Sequence, residues 1–260
     1  MIETPPEQKD RHQMEQESKC LQILRGSRDY EGNKNRKPQR VRNTCRWMLE
    51  DPQFIDWRDG KSSGLLWVSA GPGFGKSVLA RTLIDERLLS QSEITTCYFF
   101  FTEDDKNARR ATDALSALLH QLLVKHPALI KYALPYAKDG NFLSRLIHTL
   151  WGILLEIIND PALPTLVFVV DALDESEDNG KAIIEKLVDF YTQHQTDNKS
   201  PNVTVPKLKF LVTSRPYSDI EKSFGKLARE ENIQLSGDGK VGALKKEIQL
   251  VIEAELSLIK

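Results

Sequence analysis

The chain has 260 residues, with 36 Lys and Arg against 37 Asp and Glu, a formal charge of −1, 28% charged and 40% hydrophobic residues. These proportions exclude wholesale disorder, a collagen-like fibre and a polyanion-coating protein with a large positive excess. The length fits one large domain or two small ones, burying roughly 70–75% of the unfolded surface. Cys20, Cys45 and Cys97 are sparse, odd in number and widely spaced, which fits reduced thiols and a cytoplasmic location better than a disulfide framework. The polar amino terminus lacks the apolar stretch of a signal peptide. The most apolar window, Leu143 to Ile158, contains Arg145, His148 and Glu156, so no membrane span is expected.

Residues 1–20 are rich in Gln, Glu and Lys and are expected to form a flexible terminus, fraying or making a loose helix. From Arg25 to Arg46 there are eight positive residues against Asp29 and Glu31. That run reads as a phosphate-contacting strip or as a solvated connector, and Gly26, Gly32, Asn33, Asn35 and Pro38 favour the connector. TCRWMLEDPQFIDW then predicts a short helix docking through Trp47, Leu49, Phe54 and Trp57. Residues 21–60 are thus expected to pack as a helical extension on a core at 61–239.

The core alternates strand and helix signals. Apolar, β-branched or aromatic runs occur at Leu65–Ser69, Thr95–Phe101, Thr165–Val170 and Leu208–Thr213, with a weaker one at Asn232–Leu235. Between them, Leu115, Leu118, Leu119 and Leu122 keep helical spacing, as do Leu143, Leu146, Ile147 and Leu150, and similarly Ile183, Ile184, Leu187 and Tyr191. The strands are continuous apolar runs, so both faces should be covered, as in a parallel sheet between helix layers. QTDNKSPNVTVP (195–206) reads as a loop, and residues 240–260 as a carboxy-terminal helix.

Three strings carry chemistry. The first strand leads into Ala70-Gly71-Pro72-Gly73-Phe74-Gly75-Lys76-Ser77, and Val78 continues into a helix. Glycines at 71, 73 and 75 let backbone N–H groups turn inward and approach phosphate oxygens. The following helix points its positive end at the same anion. Lys76 supplies a mobile cation and Ser77 a hard oxygen for Mg²⁺. In TLVFVVDALDES, Asp171 ends a buried strand, where ligands bind in open α/β sheets. It can hold Mg²⁺ through its water shell, while Asp174 and Glu175 orient an attacking water or merely cap the next helix. Three acids side by side would repel unless a cation sat among them. In KLKFLVTSRP a third strand ends at Arg215, whose planar fork can reach a terminal phosphate or pair with a neighbouring helix.

With these three strings in order, the chain resembles the NACHT nucleotide-binding domain of the STAND P-loop NTPases, and within it the filamentous-fungal subgroup with a nephrocystin-like amino-terminal module. The matching stretches run from CLQILRGSRDYEGNKNRKPQRVRNTCRWMLEDPQF through LLWVSAGPGFGKSVLARTLID, CYFFFTEDD, LSALLHQLL and LVFVVDALDES to FLVTSRPYSDIE. The resemblance implies a three-layer α/β P-loop fold with a central parallel five-stranded sheet of order 2-3-4-1-5 and helices on both faces. It implies that Ala70 to Val78 bind the phosphates of ATP or GTP and that Ser77 and Asp171 hold Mg²⁺. Glu175, with Asp174, would supply the catalytic carboxylate, and Arg215 would sense the γ-phosphate. The segment Val41 to Thr44 would help hold the base, with Thr44 the contact. Ala70 replaces the usual first glycine, and Asn43 stands where the family shows glycine.

The function so implied is a signalling switch with slow nucleotide hydrolysis. The alternative is a non-catalytic nucleotide-binding module that pairs with longer homologues. A small-molecule kinase is disfavoured by the absence of an arginine-rich lid. Expected partners are the nucleotide and, by resemblance, copies of this chain or homologous NACHT proteins; nucleic acid rests only on the Arg25–Arg46 run. His120, His126 and His148 lie at no metal-ligand spacing and read as structural. Arg109 and Arg110 read as a solvated helix start, and Phe99, Phe100 and Phe101 as sheet core.

Overall fold

The computed structural model describes residues 6–60, 63–89, 94–137, 146–197, 208–227, 232–236 and 241–258. Helices α1 (Pro6–Arg25), α2 (Tyr30–Asn35), α3 (Arg46–Leu49) and α4 (Pro52–Asp59) precede β1 (Gly64–Ser69), α5 (Lys76–Asp85), β2 (Ile94–Phe100) and α6 (Ala111–Lys125). A 3₁₀ segment at Pro127–Tyr132 leads through α7 (Leu134–Ala137) and α8 (Ile147–Ile158) to β3 (Thr165–Asp171) and a 3₁₀ turn at Leu173–Glu175. The remaining elements are α9 (Lys181–Asp197), β4 (Leu208–Ser214), α10 (Ser218–Phe224), β5 (Asn232–Ser236) and α11 (Val241–Leu258). Most of the 195–206 stretch read as a loop lies outside the described residues, as does Leu143 of the helical pattern.

The strands run parallel in the order β2-β3-β4-β1-β5. Four of them, six or seven residues each, make the body of the sheet, while β5 is a five-residue edge strand that, among the described residues, pairs with β1 alone. Side chains alternate across a strand, and here both sets are buried. Leu65, Trp67, Phe99, Phe168 and Phe210 face one core with α1, α6, α8 and α9 residues. Leu66, Val68, Phe100, Val169 and Leu211 face a second core with α3, α4 and α5 residues. Two covered faces explain why the strands read as unbroken apolar runs. Phe99, Phe100 and Phe101 are core, fully buried.

The amino-terminal stretch read as a fraying end or loose helix is helical from Pro6. Cys20 and Leu24 are buried in the first core, where α1 packs on α6 and α7. The single helix predicted from TCRWMLEDPQFIDW is two. Asp51 Oδ1 accepts the Gln53 N–H at 2.9 Å and Pro52 stands at the first helical position, so α4 starts afresh there. The positive run is largely spent within the fold: Arg28 pairs with Asp113 at 3.0 Å, Lys34 with Asp85 at 2.6 Å and Arg40 with Glu86 at 2.8 Å.

Two charged groups close backbone ends that the sequence does not reveal. The buried Lys209 ammonium donates to the carbonyls of Trp57, Arg58 and Gly60, at the carboxy-terminal end of α4. The Glu247 carboxylate on α11 accepts the N–H groups of Cys45, Arg46 and Trp47. Cys45 takes a left-handed backbone and offers no side-chain cap to α3, so a residue 202 positions away supplies it.

The histidines are structural in their contacts. His126 Nε2 lies 2.7 Å from the Thr95 hydroxyl, and His120 Nδ1 lies 3.1 Å from the Tyr30 hydroxyl. Burial, and then the Arg25 charge, hold the His120 imidazole below its ordinary value of 6.5. The folded chain therefore keeps His120 neutral where the unfolded chain has begun to bind a proton. That contribution to stability is fully present above 6.5 and is lost as the pH falls from there through the folded value. The melting temperature of the wild type minus that of His120→Gln should therefore shrink between about pH 7.5 and about pH 5.5. His126, also lowered, cancels in the difference.

Candidate functional site

The carboxyl ends of β1, β3 and β4 lie side by side, because Ser69 pairs with Ser214 and Val170 with Val212 in the parallel register. At this edge a cavity of about 260 Å³ is lined by the loop Pro72–Val78 together with Ala172, Asp174, Glu175, Thr213 and Arg215. All three strings singled out from the sequence thus meet in one place.

The loop after β1 is built around its glycines. Gly73 (φ +81°) and Gly75 (φ +74°) occupy the left-handed region, and a Cβ at either would meet nothing within 4 Å. They are needed for the sign of the backbone angle, and the space beside them is open. Gly75 precedes α5 and supplies no side-chain cap, so the start of this ten-residue helix, with Lys76 and Ser77, lines the cavity as an anion-favouring end. Ala70, in the place of the usual glycine, is buried and needs no left-handed backbone, which explains why a Cβ is tolerated. Lys76 Nζ donates to the carbonyls of Ala70 at 2.6 Å and Gly71 at 3.0 Å, folding back over the loop. Burial lowers its pKa, with Asp174 and Asp171 pulling against that.

Asp171 is fully buried at the end of β3. Its Oδ1 accepts the Thr213 hydroxyl at 2.6 Å, and the same hydroxyl accepts the Ala172 N–H at 2.9 Å. Its Oδ2 is buried without a hydrogen-bond partner among the described residues. Burial raises its pKa, opposed by the Thr213 and Ser77 hydroxyls and the charges of Lys37 and Lys76. An orphaned carboxylate oxygen beside a serine hydroxyl is a hard-oxygen set that suits Mg²⁺. Thr213 escaped the sequence reading as a site residue; its place in TSRP, just before the arginine, is the only signal of it.

Ala172 takes a left-handed backbone (φ +55°), turning the chain sharply so that Leu173–Glu175 folds over the strand end. The acids then part company. Asp174, nearly buried, accepts the Arg215 N–H at 3.1 Å and pairs with Arg215 Nε at 3.3 Å. Glu175 stands half-buried in the cavity wall, its pKa raised by burial and by Asp174, Asp171 and Glu103, and lowered by Lys37. Among the described residues no group of three His, Cys, Asp or Glu is placed to hold a metal ion. The expected three-acid cluster around a cation is therefore corrected to one buried acid with hydroxyl neighbours. Nor do Asp174 and Glu175 cap α9: Ser176 and Asp178 share the Gly180 N–H as acceptors, and Asp178 also accepts that of Ala182.

Arg215 is held at its root, since the Ser214 hydroxyl, itself accepting Trp67 Nε1–H at 2.8 Å, donates to the Arg215 carbonyl. Its side chain is half-exposed in the wall of the cavity. Thr44 is not brought to this cavity: its hydroxyl donates to the Val41 carbonyl at 2.8 Å and the residue is buried. Asn43 has φ +68°, a left-handed position that glycine adopts freely and asparagine tolerates. Arg110 pairs with Glu177 at 3.3 Å on the surface, outside the cavity. Among the described residues no helix is long and apolar enough to cross a membrane.

A model of the family described as Nephrocystin 3, N-terminal, matches residues 43–215, a stretch that holds Thr44, the phosphate loop, the Asp171–Glu175 turn and Arg215. The vegetative incompatibility protein HET-E-1 of Podospora anserina is 29% identical over 194 residues, which are 73% of this chain and 13% of that protein. The chain thus corresponds to a small part of its longer relative. Among solved structures, the Aeropyrum pernix ORC2 protein in ADPNP–ADP complexes aligns with a TM-score of 0.40 and 13% identity, over 83% of this chain and 51% of that one. Drosophila ORC bound to AT-rich DNA and Cdc6 aligns with a TM-score of 0.43 and 15% identity, over 90% and 61%. Likenesses this distant carry no property across.

Proposed function

The chain belongs to the nephrocystin 3 N-terminal family, as a NACHT-like module related to a fungal protein, and we propose that it is a Mg²⁺-dependent switch that binds ATP or GTP and hydrolyses it slowly. The observation that carries this reading is the convergence of the glycine loop, the turn residues Ala172, Asp174 and Glu175, and Arg215 on one cavity, with the buried Asp171 bonded to Thr213 in its wall. On this reading the open side of Gly73–Gly75 and the first turn of α5 cradle the phosphates. Lys76 exchanges two loop carbonyls for the β- and γ-phosphates. Ser77 and the free oxygen of Asp171 hold Mg²⁺, which when bound neutralises charge developing on the phosphates. Glu175 orients the water that attacks the terminal phosphorus, and its raised pKa suits the proton acceptance that accompanies attack.

Arg215 gives the site two arrangements. It pairs with Asp174, and a γ-phosphate competes for the same guanidinium. A diphosphate offers no such competitor, so the nucleotide can bias the Arg215–Asp174 pair only through its terminal phosphate. In the wild type a non-hydrolysable ATP analogue should bind about tenfold tighter than ADP, a difference of about 1.4 kcal/mol. Arg215→Ala should erase that preference while leaving ADP affinity in place, as read by calorimetric titration. Equal affinities in the wild type would refute the switch. Partners beyond the nucleotide would be copies of this chain or longer NACHT proteins. The folded-back Lys76 and the paired Arg215 also fit a module that binds nucleotide without turning it over, and single-turnover hydrolysis separates the two.

A further inference from the structure

Thr213, near the end of β4, is buried within the wall of the cavity. The parallel register pairs Val170 with Val212, so the next residues along, Asp171 on β3 and Thr213 on β4, meet at the carboxyl edge of the sheet. Their contact is a hydrogen bond of 2.6 Å from the Thr213 hydroxyl to Asp171 Oδ1. The same hydroxyl accepts the Ala172 N–H at 2.9 Å. Packing alone does not call for this residue: β4 is buried and apolar from Phe210 to Val212, and a valine would fill the same space.

A hydroxyl has one proton to give. With the Ala172 amide taken as donor to the oxygen, that proton is committed to Oδ1, and the β-branched side chain has little freedom to turn away. The bond makes the two oxygens of a fully buried carboxylate unequal. Oδ1 is satisfied, whereas Oδ2 has no hydrogen-bond partner among the described residues. A buried carboxylate oxygen left without a partner is costly. A hard cation is the partner such an oxygen suits, and the Ser77 hydroxyl stands in the same cavity wall.

We propose that Thr213 is a positioning residue for the metal: its hydroxyl pins Asp171 by one oxygen and so keeps the other available to the Mg²⁺ that accompanies the nucleotide. This rests on the nucleotide-binding reading. It gives β4 a part in the metal site, separate from the part that Arg215 plays toward the terminal phosphate.

The test is calorimetric titration of the full chain and its Thr213→Val and Thr213→Ser variants with a non-hydrolysable ATP analogue, in excess Mg²⁺ and again in EDTA. Mg²⁺ should tighten binding by the wild type. Thr213→Val should bind about tenfold more weakly than wild type with Mg²⁺ and within about twofold of it in EDTA, while Thr213→Ser should stay within about threefold in both. The unchanged metal-free affinity shows that the variant has folded. A loosened Ala172 turn or a disturbed core would act with or without metal, so equal weakening in both conditions would overturn the proposal. Unchanged affinity in both would overturn it too, as would a folded Thr213→Ser that loses as much as Thr213→Val. Should Thr213→Val fail to fold, Thr213→Cys, whose thiol is a weak donor, takes its place with the same expectations. A wild type that binds no nucleotide, or binds it without regard to Mg²⁺, would overturn the underlying reading and this proposal together. A wild type tightened by Mg²⁺, with Thr213→Val tightened equally, would overturn the proposal alone.

Discussion

Glu175→Gln should slow phosphate release in a single turnover by about 10²–10⁴-fold, with nucleotide affinity changed by no more than about threefold. The carboxylate sits half-buried in the cavity wall, placed there by the left-handed turn at Ala172. It is free of the capping duty that Ser176 and Asp178 perform for α9. Glutamine keeps its size and part of its hydrogen bonding but cannot take a proton, so the loss should fall on chemistry and not on folding or binding. The measurement is inorganic phosphate released with enzyme in excess over ATP. Indistinguishable rates in the two proteins would remove Glu175 from the reaction and favour the binding module.

Lys76→Ala should weaken nucleotide binding by about a hundredfold or more, roughly 3 kcal/mol, since it deletes the one mobile cation of the loop and its charge-assisted bonds. The fold should tolerate the change. The lysine's two protein contacts are carbonyls of its own loop, Ala70 and Gly71, and its methylene stem is not part of either core. The melting temperature of the variant should thus stay within a few degrees of wild type. A loss of binding with an intact transition would assign the effect to the site.

Much of this was legible in the sequence, and for definite reasons. The strands announced themselves because both faces of the sheet are covered, which makes Leu65–Val68 and Leu166–Val170 apolar at every position. The phosphate loop was legible because its function requires a fixed local string between strand and helix. The end of β3 was legible for its position but not for the direction of its acids. Adjacency in DALDE suggested a cluster, whereas the left-handed Ala172 sends Asp174 to Arg215 and leaves Asp171 with Thr213.

What escaped was set by contacts between distant positions. Thr213 bonds an aspartate 42 positions away, Glu247 caps a helix 200 positions earlier, and Lys209 closes α4 from 149 to 152 positions on. No local pattern encodes such pairs. The basic run from Arg25 to Arg46 shows the same limit. It read as one charged connector, yet its members have separate fates: Lys34 and Arg40 are paired on the α5 side, and Lys37 between them has no carboxylate in contact among the described residues. The expected base contact at Thr44 lies outside the residues lining the cavity, with the hydroxyl turned to Val41.

The central claim is that the cavity at the carboxyl end of the sheet takes a nucleoside triphosphate with Mg²⁺. The most direct test is calorimetric titration of the wild type and Lys76→Ala with ATP and with GTP in the presence of Mg²⁺. Saturable one-to-one binding of at least one of them by the wild type, lost or weakened about a hundredfold in Lys76→Ala, is the predicted result. No binding by a folded wild type, or equal binding by both proteins, would contradict it.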